Sequence, residues 1–138
     1  MTGWAGLLSV SLLISSGCGL ANRLGGATKA ANEISAIALI RAIDQAEVMF
    51  RLEHERYSGS FEELGKSLPI DLSGEKNGYR FKLKGSPGAF SIEATPALFG
   101  TTGSRTFYSD ETLVVRENNG PEPATASSPD IQVRLGGK

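Results

Sequence analysis

The chain has 138 residues, with 14 Lys and Arg against 15 Asp and Glu, for a formal net charge of −1. That length suits one small domain, and the balanced charge argues against a nucleic-acid surface, which needs a basic face. A single cysteine excludes an intramolecular disulfide.

Residues Met1 to Asn22 carry no charged side chain, and Trp4 to Ile14 is almost wholly apolar. Small residues Ser15-Ser16-Gly17 then lead to Cys18. An apolar run closed by small residues is the layout of a secretory signal peptide ahead of its cleavage site. Small residues ending in cysteine resemble the lipobox of bacterial lipoproteins. Ser15 stands where that motif usually has Leu, and no Lys or Arg precedes the apolar run. The resemblance implies a signal over residues 1–17, acylation of Cys18 and attachment to membrane lipid. The alternative is an uncleaved anchor over Trp4 to Ala21, just long enough to span a bilayer. An ordinary signal peptide or a misplaced start codon are further readings. Either attachment puts the domain outside the cytoplasm, as a periplasmic or outer-membrane protein of the cell envelope.

Residues 18–31, with Gly25-Gly26, read as a flexible tether. From Asn32 to Tyr57 there is no Gly or Pro, and Ala36, Leu39, Ile40, Ile43, Ala46 and Phe50 recur at steps of three and four. This predicts an amphipathic helix of about seven turns, capped by Thr28 or Asn32. Arg41, Asp44, Glu47, Arg51 and Glu55 read as its solvated face, paired across single turns. Ile34, Ile37, Val48 and Leu52 widen the apolar surface beyond one stripe. They are the candidate partner-binding residues.

Phe61 to Gly65 reads as one helical turn closed by glycine, and Ser73 to Gly78 as a turn. The period then changes to two. Tyr79, Phe81 and Leu83 alternate with Arg80, Lys82 and Lys84, and Phe90, Ile92 and Ala94 alternate with Ser91, Glu93 and Thr95. Two shorter strands are expected over Arg105 to Ser109 and Leu113 to Arg116. The fold class is therefore α+β: a long helix packed on a four-stranded antiparallel sheet, with residues 32–117 as the domain. Residues 118–138 read as a disordered tail, with a weak strand at Ile131-Gln132-Val133 as the exception.

This order of elements resembles the globular part of type IV pilins and type II secretion pseudopilins. The resemblance rests on Ala31-Asn32-Glu33, Ser35 to Ala38, Arg41-Ala42-Ile43 and Ala46-Glu47 in the helix. Tyr57-Ser58 and Phe61 to Gly65 in the following loop add to it, as do Gly78 to Phe81, Ala94 to Pro96, Gly100 to Arg105 and Phe107 to Glu111 in the sheet. It covers about Ala30 to Arg116. The prepilin peptidase site and the unbroken hydrophobic half-helix of pilins are not matched by Met1 to Asn22. The resemblance thus implies a pilin-like domain moved from its polymerising stem to a lipid anchor. Its expected partners are membrane lipid through Cys18 and proteins of a pilus or secretion system, in a non-enzymatic role. A stand-alone envelope lipoprotein binding a small ligand or cell-wall component is the second reading.

No chemistry-bearing constellation competes with these. His54, the single histidine, is flanked by Glu53 and Glu55 and has no ligand partner at i+4, so it reads as an exposed structural residue. Asp71, Asp110 and Glu111 lack the oxygen spacing of a calcium loop. Gly100 to Gly103 has no lysine to make it a phosphate loop. No catalytic residue, metal ligand or cofactor is assigned.

Overall fold

The computed structural model describes residues 17–131. One helix, α1 (Gly17–His54), runs ahead of a short helix α2 (Phe61–Leu64) and a single 3-10 turn over Gly65–Ser67. Five strands follow: β1 (Glu75–Lys76), β2 (Tyr79–Ser86), β3 (Ala89–Pro96), β4 (Thr106–Asp110) and β5 (Arg116–Asn118). They form an antiparallel meander in the order β1-β2-β3-β4-β5. The α+β class and the helix-on-sheet arrangement are as the periodicity predicts, with one more strand than expected.

The helix packs through the predicted stripe. Ala36, Ile40, Ile43, Ala46 and Phe50 are buried against Tyr79, Phe81, Phe90, Ile92, Ala94 and Phe107 from alternate positions of β2, β3 and β4. Each fully buried large side chain contributes roughly 1.5–3 kcal/mol. The opposite sheet face carries Arg80, Lys82 and Lys84, which are exposed. Lys82 stands directly across from Glu93 in the register, but the ion pair forms on the diagonal, from Lys84 Nζ to Glu93 Oε1 at 3.3 Å.

Four expectations change. The helix begins at Gly17, so residues 18–31 are helical and not a flexible tether. The segment has no proline, and a glycine costs only about 1 kcal/mol in a helix that the packed portion already nucleates. Asn32 consequently lies inside the helix and is no cap. Its side-chain amide donates to Thr102 O at 2.9 Å. At the other end the helix stops at His54 because Glu55 turns to a φ of 58°.

Second, the turn expected over residues 73–78 holds β1. Asn77 (φ 48°) and Gly78 (φ 75°) form the two-residue connection between Lys76 and Tyr79, with the positive φ pair that a type I′ hairpin requires. Third, the last strand is Arg116–Asn118, because Leu113 takes a φ of 62° and belongs to the turn leading out of β4. Its amide donates to Asp110 O at 2.8 Å.

Fourth, the described part of the tail, residues 118–131, is packed. Ala124 and Ile131 are buried, Thr106 Oγ1 donates to Glu122 O at 2.7 Å, and Arg116 Nη1 donates to Ser128 O at 2.9 Å. Composition misleads here because Pro121, Pro123 and Pro129 lower the entropy of the unfolded chain as much as they break regular structure. Residues 132–138 of the expected tail, including Gln132 and Val133 of the expected weak strand, lie outside the described residues.

Candidate functional site

The helix presents two faces with different chemistry. The face toward the sheet is apolar, but it also carries three buried carboxylates, Glu33, Asp44 and Glu47. Each meets a serine. Glu33 Oε1 accepts from Ser104 N at 2.8 Å and Ser104 Oγ at 2.9 Å. Ser109 Oγ lies 2.9–3.0 Å from both oxygens of Asp44. Glu47 accepts from Ser58 N at 2.9 Å and, in a short bond, from Ser58 Oγ. Asp44 and Glu47 are therefore not on the solvated face expected for them. The serines contribute small partners in the sheet and loop, so these largely buried carboxylates are hydrogen-bonded by the protein.

Burial sets their protonation. It pushes Asp44 up to about 6, assisted by nearby Asp110 and Glu47 and opposed by the Ser109 hydroxyl and Arg41. It also raises Glu47, against the two bonds from Ser58. For Glu33 burial acts in the same direction, but the bonds from Ser104 and the Arg105 guanidinium outweigh it and hold the carboxyl below its ordinary value. Each of these serine hydroxyls donates to its carboxylate. The single histidine stands elsewhere. His54 is exposed and stacked on Phe50 with ring centroids 4.1 Å apart, and its Nδ1 is 3.0 Å from Phe50 O.

The outward face carries the predicted partner-binding residues, which the fold only partly brings together. Ile34 and Leu52 are 67% and 73% exposed. They are roughly 27 Å apart along the axis at 1.5 Å per residue, so one compact patch cannot hold both. Ile37 is partly buried and packs against the core. Val48 is half-buried and joins two hollows. In one it lies with Arg41, Asp44, Gln45, Met49 and Leu113, and in the other with Arg51, Leu52, Glu55 and Tyr57. Met49 and Leu113, 53% and 47% exposed, complete the apolar patch and were not singled out from the sequence. Met49 follows Val48 about 100° further round the helix and was legible as an apolar residue outside the buried stripe. Leu113 reaches the helix only because the β4–β5 connection folds over it.

The backbone of Cys18 lies in the first turn of α1. Gly25 and Gly26 stand in open space, where an added Cβ would meet nothing within 4 Å. Further along, Lys29 Nζ donates to Gly100 O at 3.2 Å, joining the helix to the loop before β4. Among the described residues no helix is long and apolar enough to cross a membrane, and no group of three or more His, Cys, Asp and Glu side chains is placed to hold a metal ion. Asp71 instead accepts from Ser73, and Asp110 from Thr112, each closing a turn. Comparison with known proteins gives no matching family model and no matching curated protein.

Proposed function

We propose that the protein is a lipid-anchored, non-enzymatic, pilin-like domain of the cell envelope, acting as an accessory or interaction component of a pilus or secretion-type system. The observation that carries this reading is the continuous helix from Gly17 to His54. It links Cys18 to a helix-on-meander domain without an intervening hinge. About 11 residues separate Cys18 from Lys29, a rise of roughly 17 Å, which holds the sheet clear of a membrane surface. Two or three acyl chains on Cys18 retain such a domain, whereas one does not. The exposed apolar residues Met49 and Leu52 toward the end of the same helix supply a surface for a partner, with Ile34 standing apart from them.

Deletion of the protein is expected to reduce piliation or secretion, and Leu52→Glu in an otherwise intact chain is expected to weaken the same phenotype without loss of folded protein. A deletion strain with unchanged piliation and secretion favours the second reading, an envelope lipoprotein that binds a small ligand or cell-wall component. The hollow lined by Phe61, Leu68, Ile70, Leu72, Phe81 and Leu83 is where such a ligand would be sought.

A further inference from the structure

The strand β2 has a neighbour along its whole length on one side only. β3 pairs with it from Tyr79 to Ser86, whereas β1 pairs with Tyr79 and Arg80 alone. Just upstream of β1, Gly74 turns the chain away from β2 with a φ of 77°, in the left-handed region that favours glycine. Among the described residues, the side of β2 that faces β1 makes no backbone hydrogen bond from Phe81 to Ser86.

The phase of the ladder decides which backbone groups are left over. Ala97 N donates to Gly78 O at 2.8 Å, and Ser86 opposite Ala89 closes a two-residue turn. Arg80, Lys82 and Lys84 therefore aim their N–H and C=O groups at β3. Phe81 and Leu83 aim theirs the other way, into the gap. Their side chains lie on the helix side of the sheet, where they line a hollow of about 670 Å³ together with Phe61, Leu68, Ile70 and Leu72. On the opposite face Arg80, Lys82 and Lys84 are exposed. Glu75 of β1 stands opposite Arg80, so the chain's own short strand already sets an acid against this basic row.

We propose that the edge of β2 from Phe81 to Lys84 is a docking site for an extended segment of a partner protein, which adds to the sheet antiparallel to β2. The segment's residues opposite Phe81 and Leu83 are apolar and enter the hollow. Those opposite Lys82 and Lys84 are acidic and continue the pairing that Glu75 begins. Strand addition of this kind takes its affinity from main-chain bonds and its specificity from alternate side chains. A second copy of the chain is a poor occupant, because two β2 edges paired about Leu83 set Lys82 of each copy against Lys84 of the other. The site lies apart from the Val48–Leu52 end of the helix and stands whether or not Cys18 is acylated, so its failure leaves the anchoring reading intact.

The test is residue-resolved hydrogen exchange by NMR on the isotope-labelled full chain. The probes are a short capped peptide of alternating valine and glutamate, the same peptide with lysine for glutamate, and a form with N-methylated valines. Without peptide, the amides of Phe81 and Leu83 are expected to exchange faster than those of Lys82 and Lys84. The glutamate peptide, free at about ten times its Kd, is expected to slow exchange at Phe81 and Leu83 about tenfold and to leave Lys82 and Lys84 nearly unchanged. The lysine peptide is expected to bind roughly tenfold more weakly, and the N-methylated form to give no protection at Phe81 or Leu83. No substitution in the protein is needed, so a folding defect cannot imitate the result. Binding without protection at Phe81 and Leu83 identifies the hollow as a side-chain or small-ligand site and overturns the proposal. Protection of these two amides before peptide is added, or on raising the protein concentration alone, shows the edge already paired and overturns it too. Equal binding of the glutamate and lysine peptides, or no binding of either, also overturns it.

Discussion

Arg105 Nε donates to Glu33 Oε2 at 3.0 Å, joining two residues 72 positions apart. The same guanidinium pairs with Glu117 of β5, so one side chain just before β4 ties the helix to both last strands. Both carboxylates are buried and Arg105 is mostly so. Removing it takes a cation away from two buried carboxylates. Arg105→Ala is expected to destabilise the fold by about 3 kcal/mol, measured by urea denaturation. Arg105→Lys, which cannot reach both carboxylates in a fork, is expected to recover less than half of that.

Asp44 makes stability rise as the solution is acidified. Its folded-state value of about 6 lies above the ordinary 3.8. The native chain therefore takes up a proton before the unfolded chain does, and stability increases as pH falls from about 7 toward 4. Glu47, also raised, acts in the same direction. Glu33 acts oppositely: its contribution is present above its ordinary 4.5 and is lost below it. Thermal melts from pH 3 to 8 are expected to show a maximum between roughly 4.5 and 6. Asp44→Asn, which keeps the shape and removes the charge, is expected to raise stability at pH 7.5 by roughly 1–3 kcal/mol and to flatten the slope above pH 5.

Ser58 and Glu47 fix the exit from the helix. Ser58 N and Oγ both end on this carboxylate, and both residues are fully buried. Glu47→Gln keeps an acceptor and is expected to cost under about 1.5 kcal/mol. Glu47→Leu orphans two donors and is expected to cost about 2–4 kcal/mol. Equal losses for the two variants in denaturant titrations contradict this account.

The strand β2 admits no side chain at Gly85. A Cβ there would stand 1.6 Å from Ser58 O, a backbone atom held by the bonds just described. Gly85→Ala is expected to cost about 3 kcal/mol or more and to show the loss in calorimetry. Gly88→Ala, where an added Cβ meets nothing within 4 Å, is expected to change stability by under about 1 kcal/mol.

The helix and the two central strands were legible because each follows one clean period: three and four for Ala36 to Phe50, two for Tyr79 to Leu83 and Phe90 to Ala94. Residues 73–78 read only as a turn: Asn77-Gly78 is a hairpin signal, but the two residues of β1 are too short for an alternation to register. Asp44 and Glu47 were misplaced for a different reason. A charged residue on a helix reads as solvated unless its partner is known, and Ser58 and Ser109 become partners only through the tertiary fold. The outer helix face was legible as surplus apolar residues, whereas its division into an Ile34 end and a Val48–Leu52 end depends on where the β4–β5 connection lands. Leu113 sits on that connection at a positive φ that its residue type gives no reason to expect.

Attachment of this domain through Cys18 is tested most directly by the intact mass of protein extracted from membranes, wild type beside Cys18→Ser. The account predicts a wild-type chain that begins at Cys18 and carries added acyl mass, with that form missing from the variant. An unprocessed chain beginning at Met1 in both proteins contradicts it. That result makes Trp4 to Ala21 the anchor in place of lipid.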